Sequence, residues 1–145
     1  MLALTFQVGA DRVAVDVRRV REVVPRVRLT PASGAPTWVA GVFVYRGRVV
    51  PVIDLHRLTG MGECPLHLSS RIILVPMPDD PNALVGLLAT QVADIRELPD
   101  PPLEPATSSS PTLGPAIADG TGILRLFNPD RFLPTLAPAL FGACP

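Results

Sequence analysis

Alternation of apolar and polar residues predicts a β-hairpin at the start of the chain. Across Leu2–Val8, every second residue is large and apolar, which predicts a strand with one buried face made of Leu2, Leu4, Phe6 and Val8. Residues 9–11 form a turn, and residues 12–16 return as the second strand.

A short helix is predicted after this hairpin. Asp16 is a suitable N-terminal cap. Val17, Val20 and Val24 are spaced i, i+3 and i+7, which places them on one face of a helix. Pro25 ends this helix, because its ring also disfavours helical geometry at the residue before it.

The middle of the chain predicts a second, strongly apolar hairpin. After a loop at residues 29–36, Trp38–Tyr45 forms one strand, Arg46-Gly47 reverses the chain and Arg48–Ile53 returns. Pro51 interrupts the returning strand and cannot donate a ladder hydrogen bond, which is typical of an edge strand or a bulge.

Helical and strand signals continue beyond this hairpin. Asp54 is predicted to cap a one-turn helix over Leu55–Leu58 that Gly60 ends. A later hairpin pairs Arg71–Pro76 with Ala83–Ala89 around a turn at residues 79–82.

The last third is less regular. Residues 92–98 are apolar without a clear period, and residues 99–115 form the most linker-like stretch. Leu124–Phe127 is predicted as a late strand. Asn128-Pro129-Asp130 then begins a helix, because the cap residue, the proline and the acid each suit a helix N-terminus.

Composition favours one mainly β domain. The chain has 145 residues, 48% of them hydrophobic, and its 18 prolines favour short strands joined by turns over long helices. Each half carries a hairpin and a short helix but is too small for one thick core. Two small barrels packed together account for this. We expect a single domain over 1–145 with subdomains at about 1–66 and 67–137, an option of strand exchange between them, and a loose tail at 138–145.

Charge and hydropathy narrow the range of partners. The formal net charge is zero, and all 13 basic residues are arginine, so no long-range charge attracts nucleic acid or an anionic membrane. No apolar run approaches the ~20 residues of a membrane span, and no signal peptide is visible. We therefore expect a cytoplasmic protein without direct membrane insertion.

The chemically reactive residues form no catalytic constellation. His56 and His67 have no acid or cysteine at helical ligand spacing, and we expect His56 on the exposed face of its one-turn helix, so no metal site is predicted. Cys64 and Cys144 are expected to be free thiols, Cys64 an inert one. Asp79-Asp80 is expected to be a solvated turn. The sequence predicts neither an enzyme nor a bound cofactor.

Residues 36–55 carry the most specific signal. They read Pro-Thr-Trp-Val-Ala-Gly-Val-Phe-Val-Tyr-Arg-Gly-Arg-Val-Val-Pro-Val-Ile-Asp-Leu. For Val42, Val44, Val49 and Ile53 taken singly, an ordinary core hairpin is the simpler interpretation. Arg46 differs, because a hairpin tip exposes its side chain, and a guanidinium among aromatic and apolar residues is a good interface anchor.

This segment resembles the signature of the CheW-type chemotaxis adaptor family. Outside it, residues 6–15 look like the opening hairpin of that family, Val20-Arg21-Glu22-Val23 like its Val-x-Glu-Val helix, and residues 71–88 like a later hairpin. The resemblance implies two five-stranded SH3-like β-barrels with a groove between them. It implies a non-catalytic adaptor, recruited to receptor arrays at the inner face of the membrane, that binds the regulatory domain of a CheA-type histidine kinase and the helical tip of a chemoreceptor.

The resemblance also implies a partner-binding set, which consists of Val20, Glu22, Gly41, Val44, Tyr45, Arg46, Gly47 and Asp54. Two members depart from the family pattern: Tyr45 stands where leucine is common, and Val44 where asparagine is common. Two alternatives therefore stay open. One is a regulatory module that binds the kinase or another signalling protein without receptors. The other is an adaptor of a pathway that controls pili or a cyclic-dinucleotide enzyme.

Overall fold

A computed structural model provides the structure, which we describe for residues 1–65, 70–99, 114, 116–118, 120 and 122–141, without the side chains of residues 93 and 141. Within these residues the chain forms nine strands and two α-helices, which are β1 (Leu2–Val8), β2 (Asp11–Asp16), β3 (Glu22–Pro25), β4 (Val39–Tyr45), β5 (Arg48–Asp54), α1 (Leu55–Leu58), β6 (Arg71–Met77), β7 (Asp80–Glu97), β8 (Ala116–Ala118), β9 (Ile123–Leu126) and α2 (Pro129–Phe141). The prediction of a mainly β fold with few short helices is confirmed.

The strands form two five-stranded sheets that share β7. One sheet has the order β7-β1-β2-β9-β8, and the other has the order β3-β6-β7-β5-β4. Among the described strands, no pairing closes either sheet into a complete barrel. Since β1 and β2 pair with β7 and β9, the pairing crosses the subdomain boundary near residue 66 that the sequence suggested.

Strand β7 is long enough to serve both sheets because it bends. Residues up to Ala89 pair with β6, and residues from Thr90 pair with β1. Directly after this change of partner, Gln91 has a φ of 50°, which an ordinary extended strand does not have. The register also shifts opposite this point, between Thr5 and Gln7 of β1. A bulge therefore passes the strand from one sheet to the other.

The main core lies between the two sheets. It contains Phe6 and Val8 of β1, Ile73 and Val75 of β6, and Phe127, all at most 2% exposed. The sequence had also assigned Leu2 to this buried face, but Leu2 is 51% exposed at the beginning of β1. The far faces of the sheets have smaller clusters of their own, one around Ile72 and Leu74, the other around Leu124 and Leu126.

The predicted helix after Asp16 is wrong. Asp16 does act as a cap, since its carboxylate accepts a hydrogen bond from the Arg18 amide at 2.9 Å, but it caps only one 3₁₀ turn, Val17–Arg19. The chain then extends into β3, which pairs with β6 from Glu22 to Pro25. The β-branched side chains of this segment favour an extended backbone, and an available edge of β6 completes the pairing.

Some of the other local predictions are confirmed and others are wrong. The central hairpin, the cap at Asp54 and the helix beginning at Pro129 are confirmed. Pro51 is not in an edge strand, because β5 pairs with β4 on one side and, from Val52, with β7 on the other. Helix α2 continues past Pro138 to Phe141, and its Leu140 is 2% exposed, so residues 138–141 are not the loose tail that was predicted, while residues 142–145 lie outside the described residues. Most of the predicted linker at 99–115, with His67 and Cys144, lies outside the described residues.

Candidate partner-binding surface

The β4–β5 hairpin projects Arg46 from a two-residue turn. Arg46 and Gly47 both have positive φ, 49° and 79°, as the common type I′ hairpin turn requires. Glycine adopts this geometry without strain, and a Cβ at position 47 would meet nothing within 4 Å. The Arg46 side chain is 76% exposed. The predicted turn is confirmed, and the guanidinium lies at the surface.

Glu22, Tyr45 and Arg46 form one polar cluster at this tip. The Tyr45 hydroxyl donates a hydrogen bond to Glu22 Oε2 at 3.0 Å. Arg46 Nη2 lies 3.5 Å from Glu22 Oε1, and the guanidinium carbon lies 5.3 Å from the centre of the Tyr45 ring. Sequence reasoning placed these three residues in one binding set, and the structure brings them into contact. Glu22 reaches the tip from β3, which precedes the hairpin in sequence.

The Tyr45 hydroxyl of the cluster is a neutral hydrogen-bond donor, and its ion pair is weak. Loss of hydration and the hydrogen bond to Glu22 raise the pKa of Tyr45 above its ordinary value, so the hydroxyl stays a neutral donor at neutral pH. The Arg46–Glu22 ion pair is exposed, and exposed pairs contribute only about 0–1 kcal/mol to stability. A partner can therefore exchange its own carboxylate for this contact at little cost to the fold.

Apolar surface flanks the polar cluster. Val44 and Val49 face each other across the hairpin and are 68% and 61% exposed. The simpler interpretation of these two valines as core residues is wrong, although it is right for Ile53, which is fully buried. Sequence reasoning missed Val49, but a two-residue turn places residues 44 and 49 opposite each other on one face, so Val44 already implied it.

Two arginines, one in the hairpin and one just before β3, donate hydrogen bonds to the beginning of β7. Arg48 Nη1 donates to the Asn82 carbonyl at 2.7 Å, and Arg21 Nη2 donates to the Pro81 carbonyl at 3.2 Å. Phe43 and Tyr45 meet edge to face, 6.5 Å apart, and pack against the cluster around Ile72. These contacts hold the part of the hairpin next to the turn, so the tip is supported by the neighbouring strand and by the cluster around Ile72.

Two residues of the predicted set are internal. Gly41 is buried, and at its φ of 148° a Cβ would lie 2.7 Å from the Thr30 carbonyl oxygen. Asp54 is 2% exposed, and its carboxylate accepts hydrogen bonds from the backbone amides of His56, Arg57 and Cys64. Neither can contact a partner directly. Their positions are explained by backbone packing and by helix capping, and their assignment to the binding set is corrected here.

Val20 occupies an intermediate position. It follows the 3₁₀ turn, its amide donates to the Val17 carbonyl at 3.1 Å, and its half-buried side chain packs against the main core. The structure therefore places Glu22, Val44, Tyr45, Arg46 and Gly47 together around the tip, and Val20 on the approach to β3.

A second group of reactive side chains, Asp54, His56 and Cys64, lies in the interior. One potential ligand atom from each lies within 4.8 Å of the others. His56 is 3% exposed, which corrects its predicted exposure on α1. His56 Nε2 accepts a hydrogen bond from the Gly9 amide at 2.9 Å, so the ring hydrogen of the neutral imidazole resides on Nδ1. That nitrogen therefore offers no lone pair to a metal ion.

The other two members of this group are also poor ligands. Burial raises the pKa of the Cys64 thiol to about 11, which keeps it protonated. The Asp54 oxygens already accept three amide hydrogen bonds. Burial lowers the pKa of His56, which stays neutral. The group joins α1 to the β1–β2 turn and to residue 64, and its donor chemistry suits neither metal binding nor nucleophilic attack.

Comparisons with known proteins identify the relationship. The profile of the CheW-like domain matches residues 2–136. Chemotaxis protein CheW of Rhizobium meliloti is 31% identical over 102 residues, 70% of this chain and 64% of that protein. Protein FrzA of Myxococcus xanthus is 30% identical over 136 residues, 90% of this chain and 83% of that protein. Protein PilI of Pseudomonas aeruginosa is 32% identical over 108 residues, 70% of this chain and 59% of that protein.

The fold agrees with these sequence relationships. The crystal structure of scaffolding protein TtCheW from Thermoanaerobacter tengcongensis matches with a TM-score of 0.74 at 22% identity, covering 89% of this chain and 84% of that one. None of the described helices is long and apolar enough to cross a membrane. The chain spans slightly less than two thirds of the Rhizobium and Pseudomonas relatives, while the family profile spans nearly all of the chain. The resemblance noted in residues 36–55 is thus confirmed, and the chain belongs to the CheW-like domain family.

Proposed function

We propose that this chain is a non-catalytic adaptor that couples the regulatory domain of a CheA-type histidine kinase to the helical cytoplasmic tips of chemoreceptors. Membership of the CheW-like family supports the general role, and relatives named chemotaxis protein CheW support the pathway. The observation that carries the proposal is the exposed Arg46 at the end of a supported hairpin, beside Glu22 and Tyr45.

The hairpin tip has the composition of a protein-binding surface. Arg46 and Tyr45 belong to the residue types that dominate binding energy in protein interfaces, and Val44 and Val49 add exposed apolar area beside them. An amphipathic receptor helix offers both kinds of contact, since one face is apolar and its border carries charges. These features support our proposal that the tip binds a partner.

A role without catalysis agrees with the titratable groups of the described residues. The interior group around His56 combines a protonated thiol, a neutral imidazole and a carboxylate that already accepts three amides. At the tip, Glu22 is bound by Tyr45 and Arg46 and is not placed to act as a base on a bound molecule. The adaptor would work in the cytoplasm, at receptor arrays on the inner face of the membrane.

The alternatives from the sequence remain distinct proposals. Relatives named FrzA and PilI, rather than CheW, favour keeping an adaptor of another chemosensory pathway as the second candidate. Tyr45 is the residue to examine here, because its hydrogen bond to Glu22 changes which polar groups the tip presents. A receptor-independent module would bind the kinase domain and no receptor at all.

Direct binding tests the proposal. Fluorescence anisotropy would follow the binding of the wild type to the kinase regulatory domain and to a receptor cytoplasmic hairpin from the same organism. Arg46→Glu should lose about tenfold or more of its affinity for the receptor hairpin. Arg131→Glu is the matched control, because Arg131 is an exposed arginine of α2, and its affinity should stay unchanged. Equal affinity in both variants would exclude Arg46 from the interface, and kinase binding alone would favour the receptor-independent module.

A further inference from the structure

A groove of about 830 Å³ lies at the opposite end of the β4–β5 hairpin from the tip. Its walls come from residues 25–29, from the beginning of β4, from α1 and from the beginning of β6. Val39 and Asp54 line it, and both lie at the end of the hairpin remote from Arg46. Strands of seven residues rising about 3.3 Å per residue separate the groove from the tip by about 20 Å. The groove is therefore separate from the proposed adaptor surface.

Positive charge is concentrated in this groove. Four arginines and only two carboxylates line it, which gives a local net charge of 4 − 2 = +2, and these residues are Arg26, Arg28, Arg57, Arg71, Asp54 and Glu63. The formal net charge of the whole chain is zero. A concave surface that collects one sign of charge raises the local concentration of oppositely charged ligands.

Both carboxylates of the groove lie beside the same arginine. Arg57 Nε lies 3.8 Å from Asp54 Oδ2, and Arg57 Nη2 lies 3.3 Å from Glu63 Oε2. Among the described residues, neither of these two carboxylates forms an ion pair with Arg26 or Arg28. An anion that enters it would meet guanidinium groups without displacing an acidic side chain from Arg57.

Arg26 and Arg28 are the arginines best placed for such an anion. Arg26 uses one nitrogen, Nη1, for the carbonyl oxygens of Cys64 and Pro65 at 3.4 and 2.7 Å, and these neutral acceptors leave its charge uncancelled. A guanidinium has five N–H donors, so most of those of Arg26 remain available. Arg28 is exposed, and within the described part of the chain no hydrogen bond or ion pair engages it. One guanidinium is thus fixed in place and the other is free to close on a ligand.

Size and lining define the class of ligand. Pockets for small molecules usually measure about 300–1,000 Å³, and this groove falls in that range. Val27 is exposed where it lines the groove, and Leu29 and Val39 are half-buried there, so one part of the surface is apolar. Guanidinium groups bind phosphate oxygens in pairs of parallel hydrogen bonds. A ligand that joins a phosphate to an uncharged organic body uses both parts of the groove.

We propose that this groove binds a small organic phosphate of nucleotide size, with the phosphate held by Arg26 and Arg28 and the organic body resting on Val27 and Val39. The net charge of the lining matches one phosphate monoester, which carries about 1.5 to 2 negative charges at neutral pH. The site lies beside α1 and the beginning of β6, at the end of the β4–β5 hairpin remote from Arg46.

Isothermal titration calorimetry on the full chain tests this site with three probes. ADP carries the phosphate and an organic body, adenosine carries the body alone, and inorganic pyrophosphate carries the charge alone. The wild type should bind ADP more tightly than pyrophosphate and should not bind adenosine. Arg28→Glu should weaken ADP binding by about tenfold or more, because a charged hydrogen bond is replaced by repulsion. Arg131→Glu should bind ADP as the wild type does.

The outcomes distinguish an organic phosphate from an acidic peptide as the ligand and include results that would overturn the proposal. Arg28 is exposed, so a melting temperature unchanged in Arg28→Glu confirms that the variant is folded; if it falls, Arg28→Ser replaces it in the titration. Absence of ADP binding by the wild type, equal ADP binding by Arg28→Glu, or equal binding of adenosine would each overturn the proposal. A polyglutamate peptide that binds in an Arg28-dependent manner while ADP does not would also overturn it, in favour of an acidic peptide.

Discussion

Replacement of Asp54 by alanine removes the acceptor for three buried or partly buried backbone amides. Asp54 Oδ1 accepts from His56 at 3.0 Å and from Arg57 at 3.3 Å, which caps the N-terminus of α1. Oδ2 accepts from the buried amide of Cys64 at 2.9 Å, which holds the chain ten residues later. The side chain is 2% exposed, so water cannot take its place without a change in packing.

The expected loss of unfolding free energy in Asp54→Ala follows from its two roles, which are capping α1 and accepting the hydrogen bond from the Cys64 amide. Loss of an N-terminal cap typically costs about 1 kcal/mol. A buried amide left without an acceptor, here that of Cys64, costs about 1–3 kcal/mol. Asp54→Ala should therefore lower the free energy of unfolding by about 3 kcal/mol. For a chain of this length the melting temperature should fall by roughly 6–12 °C.

Urea unfolding followed by circular dichroism measures this loss, with two variants for comparison. Asp54→Asn keeps a capping oxygen but turns an amide group toward the Cys64 amide, so about half of the loss is expected. Asp16→Ala is the matched control, because Asp16 also caps a turn, through the Arg18 amide, but in an exposed setting where water can replace it. Its loss should stay below about 1 kcal/mol. A loss below 1 kcal/mol for Asp54→Ala, with partner binding abolished, would instead restore Asp54 to the binding surface.

Three more substitutions test separate parts of the structure. Gly41→Ala should destabilise the fold by about 2–3 kcal/mol in urea unfolding, because its Cβ would lie 2.7 Å from a backbone oxygen. Gly34→Ala is the control, because a Cβ there meets nothing within 4 Å, and it should lose at most about 1 kcal/mol. Equal losses in the two variants would refute the clash. Tyr45→Phe removes the hydrogen bond to Glu22, so affinity for the receptor hairpin should fall about threefold with the melting temperature unchanged; an unchanged affinity would show that the hydroxyl has no role. Because the pKa of His56 is lowered in the folded state, the unfolded chain takes up a proton first as the pH falls below about 6.5, so the free energy of unfolding should be constant above that pH and decline below it. His56→Gln should reduce that decline. Identical pH profiles of the wild type and His56→Gln would contradict a buried neutral imidazole.

The sequence could predict most of the strands because their signals are local. The central hairpin was predictable from two apolar runs around Arg46-Gly47, and the cap of α1 from Asp54 before Leu55–Leu58. The segment after Asp16 was not, because valines spaced for a helix also suit a strand, and only the partner strand β6 decides between them. The spacing of apolar residues along the chain does not show which distant strand a segment pairs with.

The sequence could predict which residues gather at the candidate site, but it could not predict which members of the predicted set are buried. The family resemblance placed Glu22, Tyr45 and Arg46 in one binding set, and the structure brings them into contact. The same set also contained Gly41 and Asp54, which are buried. A sequence motif can contain residues needed for folding as well as residues needed for binding, and only their solvent exposure in the structure distinguishes the two groups.

The topology was the least predictable feature. The sequence suggested subdomains at about 1–66 and 67–137 with an option of strand exchange between them, but it did not indicate which strand serves both sheets; in the structure this is β7, whose residues 90–97 pair with β1. The bend at Gln91 has no sequence signal of its own, because neither glycine nor proline marks it.

NMR chemical-shift mapping of the Val44 and Val49 methyl groups tests the central claim most directly, because these side chains are exposed beside Arg46 and report contact at the hairpin tip. Addition of a receptor cytoplasmic hairpin or of the kinase regulatory domain should shift both methyl signals, and Arg46→Glu should reduce the shift at the same partner concentration. Tight binding of both partners that leaves these two valines unchanged, while methyl groups elsewhere on the surface respond, would contradict a binding role for the tip.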